Sequence, residues 1–153
     1  MIARIRKAQQ ENDQGFTLIE LLVVIIIIGI LSAIAIPVFL NQSRKAVDQA
    51  AQADVSAIAK QLATYYIDND AAVTITPTEG QYVFASDDLS AEGAEPIIVP
   101  MSNDEFEVTS PAATANGTDF SITLTFDGGT EGDNATYVYN AATGVTGPTA
   151  AAE

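Results

Sequence analysis

The run Gly15-Phe16-Thr17-Leu18-Ile19-Glu20 joins a short charged leader to a long apolar stretch, and the reading of this junction decides the rest. Ahead of it, the leader carries Arg4, Arg6, Lys7, Glu11 and Asp13. Behind it, Leu21 to Leu40 is twenty residues without a charge. As a helix rising ~1.5 Å per residue, those twenty reach ~30 Å, about the thickness of a bilayer's hydrocarbon core. Backbone groups in lipid must bond within their own segment, so helix is the conformation open to it. A buried core helix is the soluble alternative, but nothing else in the chain is apolar enough to wrap this one on all sides. An ordinary secretory signal is the stronger alternative, since Ala33-Ile34-Ala35 is a small-x-small cleavage pattern behind the apolar stretch 21–31. Against it stand Glu11, Asp13 and Glu20 in a start that should be basic, and the apolar stub 36–40 that a cut after Ala35 would leave.

The junction and the run behind it, from Gly15 to about Gln42, resemble the type IV pilin family, which includes the pseudopilins of type II secretion. The resemblance implies that a prepilin peptidase cuts after Gly15 and that Phe16, the new N-terminal residue, is N-methylated. It also implies a cytoplasmic N-terminus, which the thin excess of Lys and Arg on that flank supports only weakly. The Pro37-Val38-Phe39-Leu40-Asn41-Gln42 stretch and the absence of cysteine are similar to pilins of Gram-positive bacteria, of actinobacterial type, rather than to the disulfide-closed Gram-negative ones.

Glu20 carries the largest physical cost in this segment. A carboxylate at the membrane centre costs ~2.5–3.5 kcal/mol, less near the interface, and such groups are usually paired and functional. Cleavage would create a positive amine on Phe16, four residues before Glu20, within one subunit or in its neighbour. The family implies that the intersubunit pair sets register during assembly; the alternative is a Glu that snorkels to the headgroups. The helix start itself also favours a negative charge. Gly29 and Pro37 lie inside the run. Pro37 has no N–H and frees the carbonyl of Ala33, which reads as a kink or, as the resemblance implies, a place where the rod bends or melts during assembly.

Beyond Leu40 the pattern changes. Val47, Ala51, Val55, Ile58, Leu62 and Tyr65 recur at a helical period, and no Gly or Pro separates Leu40 from Ile67. The spacing predicts one continuous helix from Phe16 to about Ile67, with an apolar stripe on its second half and Arg44, Lys45, Asp48, Gln52 and Lys60 mostly off that stripe. The organisation is then a leader at 1–15, an apolar membrane and polymerisation helix at 16–40, an amphipathic continuation at 41–67, and an acidic head at 68–153. Alternation and β-branched content mark strands at 81–85, 105–109, 119–126 and 135–140. In Phe120-Ser121-Ile122-Thr123-Leu124-Thr125-Phe126 the alternation is strict, which predicts an antiparallel sheet with one face on the helix and one wet. The segment 86–100 reads as an exposed connection and 144–153 as a loose tail. The expected fold class is α+β, a long helix on a small antiparallel sheet, the pilin fold of the resemblance.

Charge narrows the function. The formal net charge is −14, every basic residue lies at or before Lys60, and from residue 61 on there are fifteen acids and no Lys, Arg or His. Such a head repels phosphate backbones, so nucleic-acid binding by it is not expected. With no Cys and no His, thiolate metal sites, thiol nucleophiles and histidine general bases are all excluded, and no enzyme activity is expected. The loop Asp127–Asn134 offers Asp127, Glu131, Asp133 and Asn134 as oxygen donors for calcium, which related secretion pseudopilins bind in a comparable region. Asp127-Gly128-Gly129 is equally an ordinary turn signal.

The expectation is a single-pass membrane protein that becomes the structural subunit of a type IV pilus on the cell surface, serving adhesion, motility or DNA uptake. Its expected partners are further copies of itself, the prepilin peptidase, the lipid bilayer, and an assembly platform with a motor ATPase, since nothing in the chain binds nucleotide. A pseudopilin of a type II secretion or competence system is the alternative within the family. A secreted or singly anchored binding domain, cut after Ala35, is the alternative outside it.

Overall fold

A computed structural model describes residues 15–69, 71–87, 89, 96–109 and 120–150. The leader up to residue 14, Asp119 and the last three residues therefore lie outside the described residues. Helix α1 runs Leu18–Asp68, 51 residues, through both Gly29 and Pro37. It starts two residues later than the apolar pattern predicts, because Thr17 is its cap. By compactness the chain divides into residues 1–40 and 41–153.

In the second unit, the helical part from 48 to 65 buries Ala51, Val55, Ile58, Ala59, Leu62 and Tyr65 in the core, the stripe that the periodicity predicts. Seven strands cover it: β1 (Thr74–Thr78), β2 (Gln81–Ala85), β3 (Ile98–Pro100), β4 (Glu107–Thr109), β5 (Ser121–Phe126), β6 (Ala135–Asn140) and β7 (Gly144–Thr149). They form two antiparallel sheets, β1-β2-β3 and β4-β5-β6-β7, with β1 lying against β4, where the sequence reading expects one sheet. The strict alternation around β5 holds: Phe120, Ile122, Leu124 and Phe126 enter the core, while Ser121, Thr123 and Thr125 are half-buried. Phe126 stacks on Tyr137, with ring centres 5.6 Å apart, and Phe106 meets its edge.

Three strands escape the sequence reading, and each is a sheet edge or pairs across a special turn. β1 contains Pro77, which an edge strand tolerates because it need not donate there. Its hairpin to β2 closes through Glu79 and Gly80, both at positive φ (42° and 79°), the two-residue turn that suits strand twist. β3 corrects the exposed connection expected at 86–100: it is only three residues long, yet Val99 is buried against the core. β7 corrects the loose tail expected from 144. Val145 and Gly144 pair with Tyr139 and Asn140, and the ladder resumes at Thr149 opposite Thr136 after an irregularity. Gly147 sits at that irregularity, where a Cβ would meet the Thr136 carbonyl at 2.6 Å and the Tyr137 ring at 2.9 Å. The expected strand 105–109 begins only at Glu107. Asn103 bends the chain first, its side-chain oxygen accepting from Glu105 N–H and its carbonyl from Phe106 N–H.

Candidate functional site

Gly15 and Phe16 stand immediately before the helix, and Phe16 is 90% exposed. A side chain at Gly15 would meet nothing within 4 Å, so packing does not demand glycine there. Thr17 then caps α1. Glu20 N–H donates to Thr17 Oγ1 at 3.3 Å, while the Glu20 carboxylate accepts from Thr17 N–H at 2.8 Å and from the Thr17 hydroxyl at 2.7 Å. This is a reciprocal capping box, which satisfies orphan donors at the helix start. The Thr-x-x-Glu spacing of Thr17 and Glu20 carries the signal, and the sequence reading passed over it in favour of Glu20 alone. Phe16, Ile19, Val23 and Val24 line an open apolar hollow together with Glu20.

From Leu18 to Leu40 every large apolar side chain is exposed, Leu18 at 81% and Phe39 at 69% among them. α1 is long and apolar enough to cross a membrane, and its most apolar stretch is unburied. A core helix of a water-soluble protein would hide that surface. Gly29 and Pro37 both sit on this stretch, and a Cβ at Gly29 would touch nothing. Gly29 is thus free of any steric duty within the chain.

In the second unit the sequence reading missed two residues. Asp48 and Asp54 are buried, at 8% and 3% exposure, although the sequence places Asp48 with the polar residues of the helix. Asp54 accepts from Tyr82 Oη at 3.1 Å, from Ser102 N–H at 2.9 Å and from the Ser102 hydroxyl. Asp48 accepts from the Thr130 hydroxyl at 2.6 Å and from Thr130 N–H at 3.2 Å. Each carboxylate therefore pins to the helix a loop from a different sheet, the one after β3 and the one between β5 and β6. Burial raises the Tyr82 phenol far above its ordinary range, and the Asp54 charge and hydrogen bond add to that. Burial, and then Asp48, raise Tyr137 as well.

The loop Asp127–Asn134 brings together two of its four expected donors. Asp127 Oδ1 accepts from Asn134 N–H at 2.6 Å, and Asn134 takes a positive φ of 56°. The turn therefore joins the Asp127 carboxylate to the main chain of Asn134. Glu131 and Asp133 are exposed on the same loop. Among the described residues no group of three or more acids is arranged to hold a metal ion.

Residues 11–36 match the prokaryotic N-terminal methylation motif. The chain is 41% identical over 61 residues to type II secretion system core protein G of Pseudomonas aeruginosa, covering 40% of this chain and 43% of the relative. It is 38% identical over 60 residues to the protein of that name from Dickeya chrysanthemi (39% of each chain), and 39% over 59 residues to the one from Escherichia coli (39% and 41%). The chain thus spans about two fifths of the length of these curated relatives. No solved structure matches it.

Proposed function

Since the N-terminal segment of this chain is that of a type IV pilin-like prepilin, we propose that it is a pseudopilin: a structural subunit of a secretion-type filament, without catalytic activity of its own. Held in the membrane by residues 18–40, it is cut after Gly15 by a prepilin peptidase, methylated on Phe16, and drawn into a filament through the same apolar surface. The observation that carries this reading is that one helix supplies both an unburied apolar stretch and the core-facing stripe of a folded head. Such a helix exchanges lipid for other copies of itself at little cost, because packing and not water drives the contact. The union is head-to-tail and does not close, which yields filaments.

The relatives above are secretion core proteins, and this favours the pseudopilin over the pilus subunit that the sequence alone suggests. Glu20 leaves Thr17 in this scheme once the cut provides an amine at Phe16, and the new pair offsets the burial of both charges. Two measurements test the proposal. N-terminal sequencing should find Phe16 first and methylated; a product starting at Ile36 overturns the scheme. Deleting the gene should then abolish export of a folded protein while leaving long surface filaments in place; loss of such filaments alone points back to the pilus.

A further inference from the structure

The cut chain retains three basic side chains, Arg44, Lys45 and Lys60, all exposed and all on α1. Lys45, Gln49, Gln52, Ser56 and Lys60 succeed one another at steps of 4, 3, 4 and 4, and so lie along one face of the helix. That face looks away from the stripe of Ala51, Val55, Ile58 and Leu62 that enters the core. Lys45, Gln49, Gln52 and Lys60 are exposed and Ser56 is half-buried. No acid interrupts the strip: Asp48, the helix acid beside it, is buried and occupied by Thr130, and Asp54, buried and occupied by Ser102 and Tyr82, lies round the opposite side of the helix. Two lysines with uncharged side chains between them therefore share one helix face of a chain whose formal charge is −14.

Acidic heads repel one another. This inference rests on the filament reading above, in which copies pack side by side. Apart from the Phe16 amine, any opposite-charge pair between two such copies must use Arg44, Lys45 or Lys60 of one of them. We propose that the strip from Lys45 to Lys60 is the surface on which the acidic head of a second copy docks. Lys45 and Lys60 are ~22 Å apart along the helix axis, so together they can hold a head at two points. Gln49, Gln52 and Ser56 between them offer uncharged hydrogen-bonding partners. Exposed ion pairs are individually weak and screened by salt, but these recur at every subunit and set which face meets which.

The test uses the full chain, assembled by its own secretion apparatus. After the leader is removed, Lys45 and Lys60 are the only lysines, so a carbodiimide can join lysine to carboxylate at few places. Filaments grown from mixed heavy- and light-isotope chains should yield adducts of Lys45 or Lys60 with carboxylates from residues 61–153 of another copy. The same chain dispersed in detergent should not. Lys45→Glu with Lys60→Glu should lower filament yield about tenfold or more while leader removal continues, and the pair of Lys→Arg changes should restore the yield. Wild-type filaments without these adducts, or an undiminished yield from the double Glu variant, overturn the proposal. Adducts to a different protein, or release of the unassembled double variant from the membrane, overturn it in favour of another partner or of lipid headgroups. A wild-type chain that forms no filament overturns the filament reading itself, and the docking with it.

Discussion

Replacing Asp54 by Ala should destabilise the head by ~3–5 kcal/mol. Asp54 accepts three hydrogen bonds, from Tyr82 Oη, Ser102 N–H and the Ser102 hydroxyl. Removing the carboxylate leaves all three donors without their acceptor. The side of Ser102 is open to solvent, so its two donors turn to water and the loss there is about 1 kcal/mol each. Tyr82 is fully buried, and its hydroxyl has no water to turn to. Leaving a buried donor orphaned costs about 1–3 kcal/mol more. Against a total stability of roughly 5–15 kcal/mol, that is a large share. The measurement is urea unfolding of the full chain in mild detergent, followed by near-ultraviolet circular dichroism of the tyrosines. The midpoint should fall while the slope stays constant. Tyr82→Phe, which removes one donor and leaves Asp54 its two bonds from Ser102, should cost less, and the two changes together should fall short of their sum by about 1–2 kcal/mol. A loss under ~0.5 kcal/mol for Asp54→Ala, or strict additivity with Tyr82→Phe, would refute the reasoning.

Gly129→Ala should destabilise the chain by about 1–3 kcal/mol, because the new methyl runs into the Asp48 carboxylate and into the Phe126 ring at 2.7 Å. Gly128→Ala meets no atom and should cost only the ~1–2 kcal/mol of its positive φ, read like the first as a lowered midpoint in thermal melts. Alkaline titration followed by tyrosinate absorbance should show Tyr82 still protonated well above pH 10.0 while the fold persists. The raised folded pKa means that this stabilisation is complete below the ordinary tyrosine value and drains away as pH rises above it, so unfolding should accompany the late tyrosinate signal. An early, reversible ionisation of every tyrosine in the folded chain would contradict the burial of Tyr82. Thr17→Ala opens the capping box and should cost the helix start about 1 kcal/mol, read as roughly fivefold faster amide exchange at Glu20 and Leu21 in detergent; unchanged exchange would show that the box holds nothing. Glu20→Ala should leave leader removal and membrane insertion intact but stop filament growth, and a wild-type filament yield from it would remove the pairing role of the carboxylate.

Local pattern alone determined a good deal of this protein. The uncharged run after Glu20 could only be a helix in lipid or among its own kind, and the period of Ala51, Val55, Ile58 and Leu62 marked the face that enters the core. Alternation located β2, β5 and β6, because a two-residue period is written in the segment itself. Edge strands lack that support: β1 and β7 carry Pro77 and Pro148, and become strands only because β2 and β6 offer a ladder to complete. The division into two sheets was likewise settled by which strand found which neighbour. The buried aspartates were out of reach of local reading altogether. Asp54 finds its partners 28 and 48 residues away and Asp48 finds Thr130 82 residues away, so their burial is tolerable only after the chain has brought those donors to them.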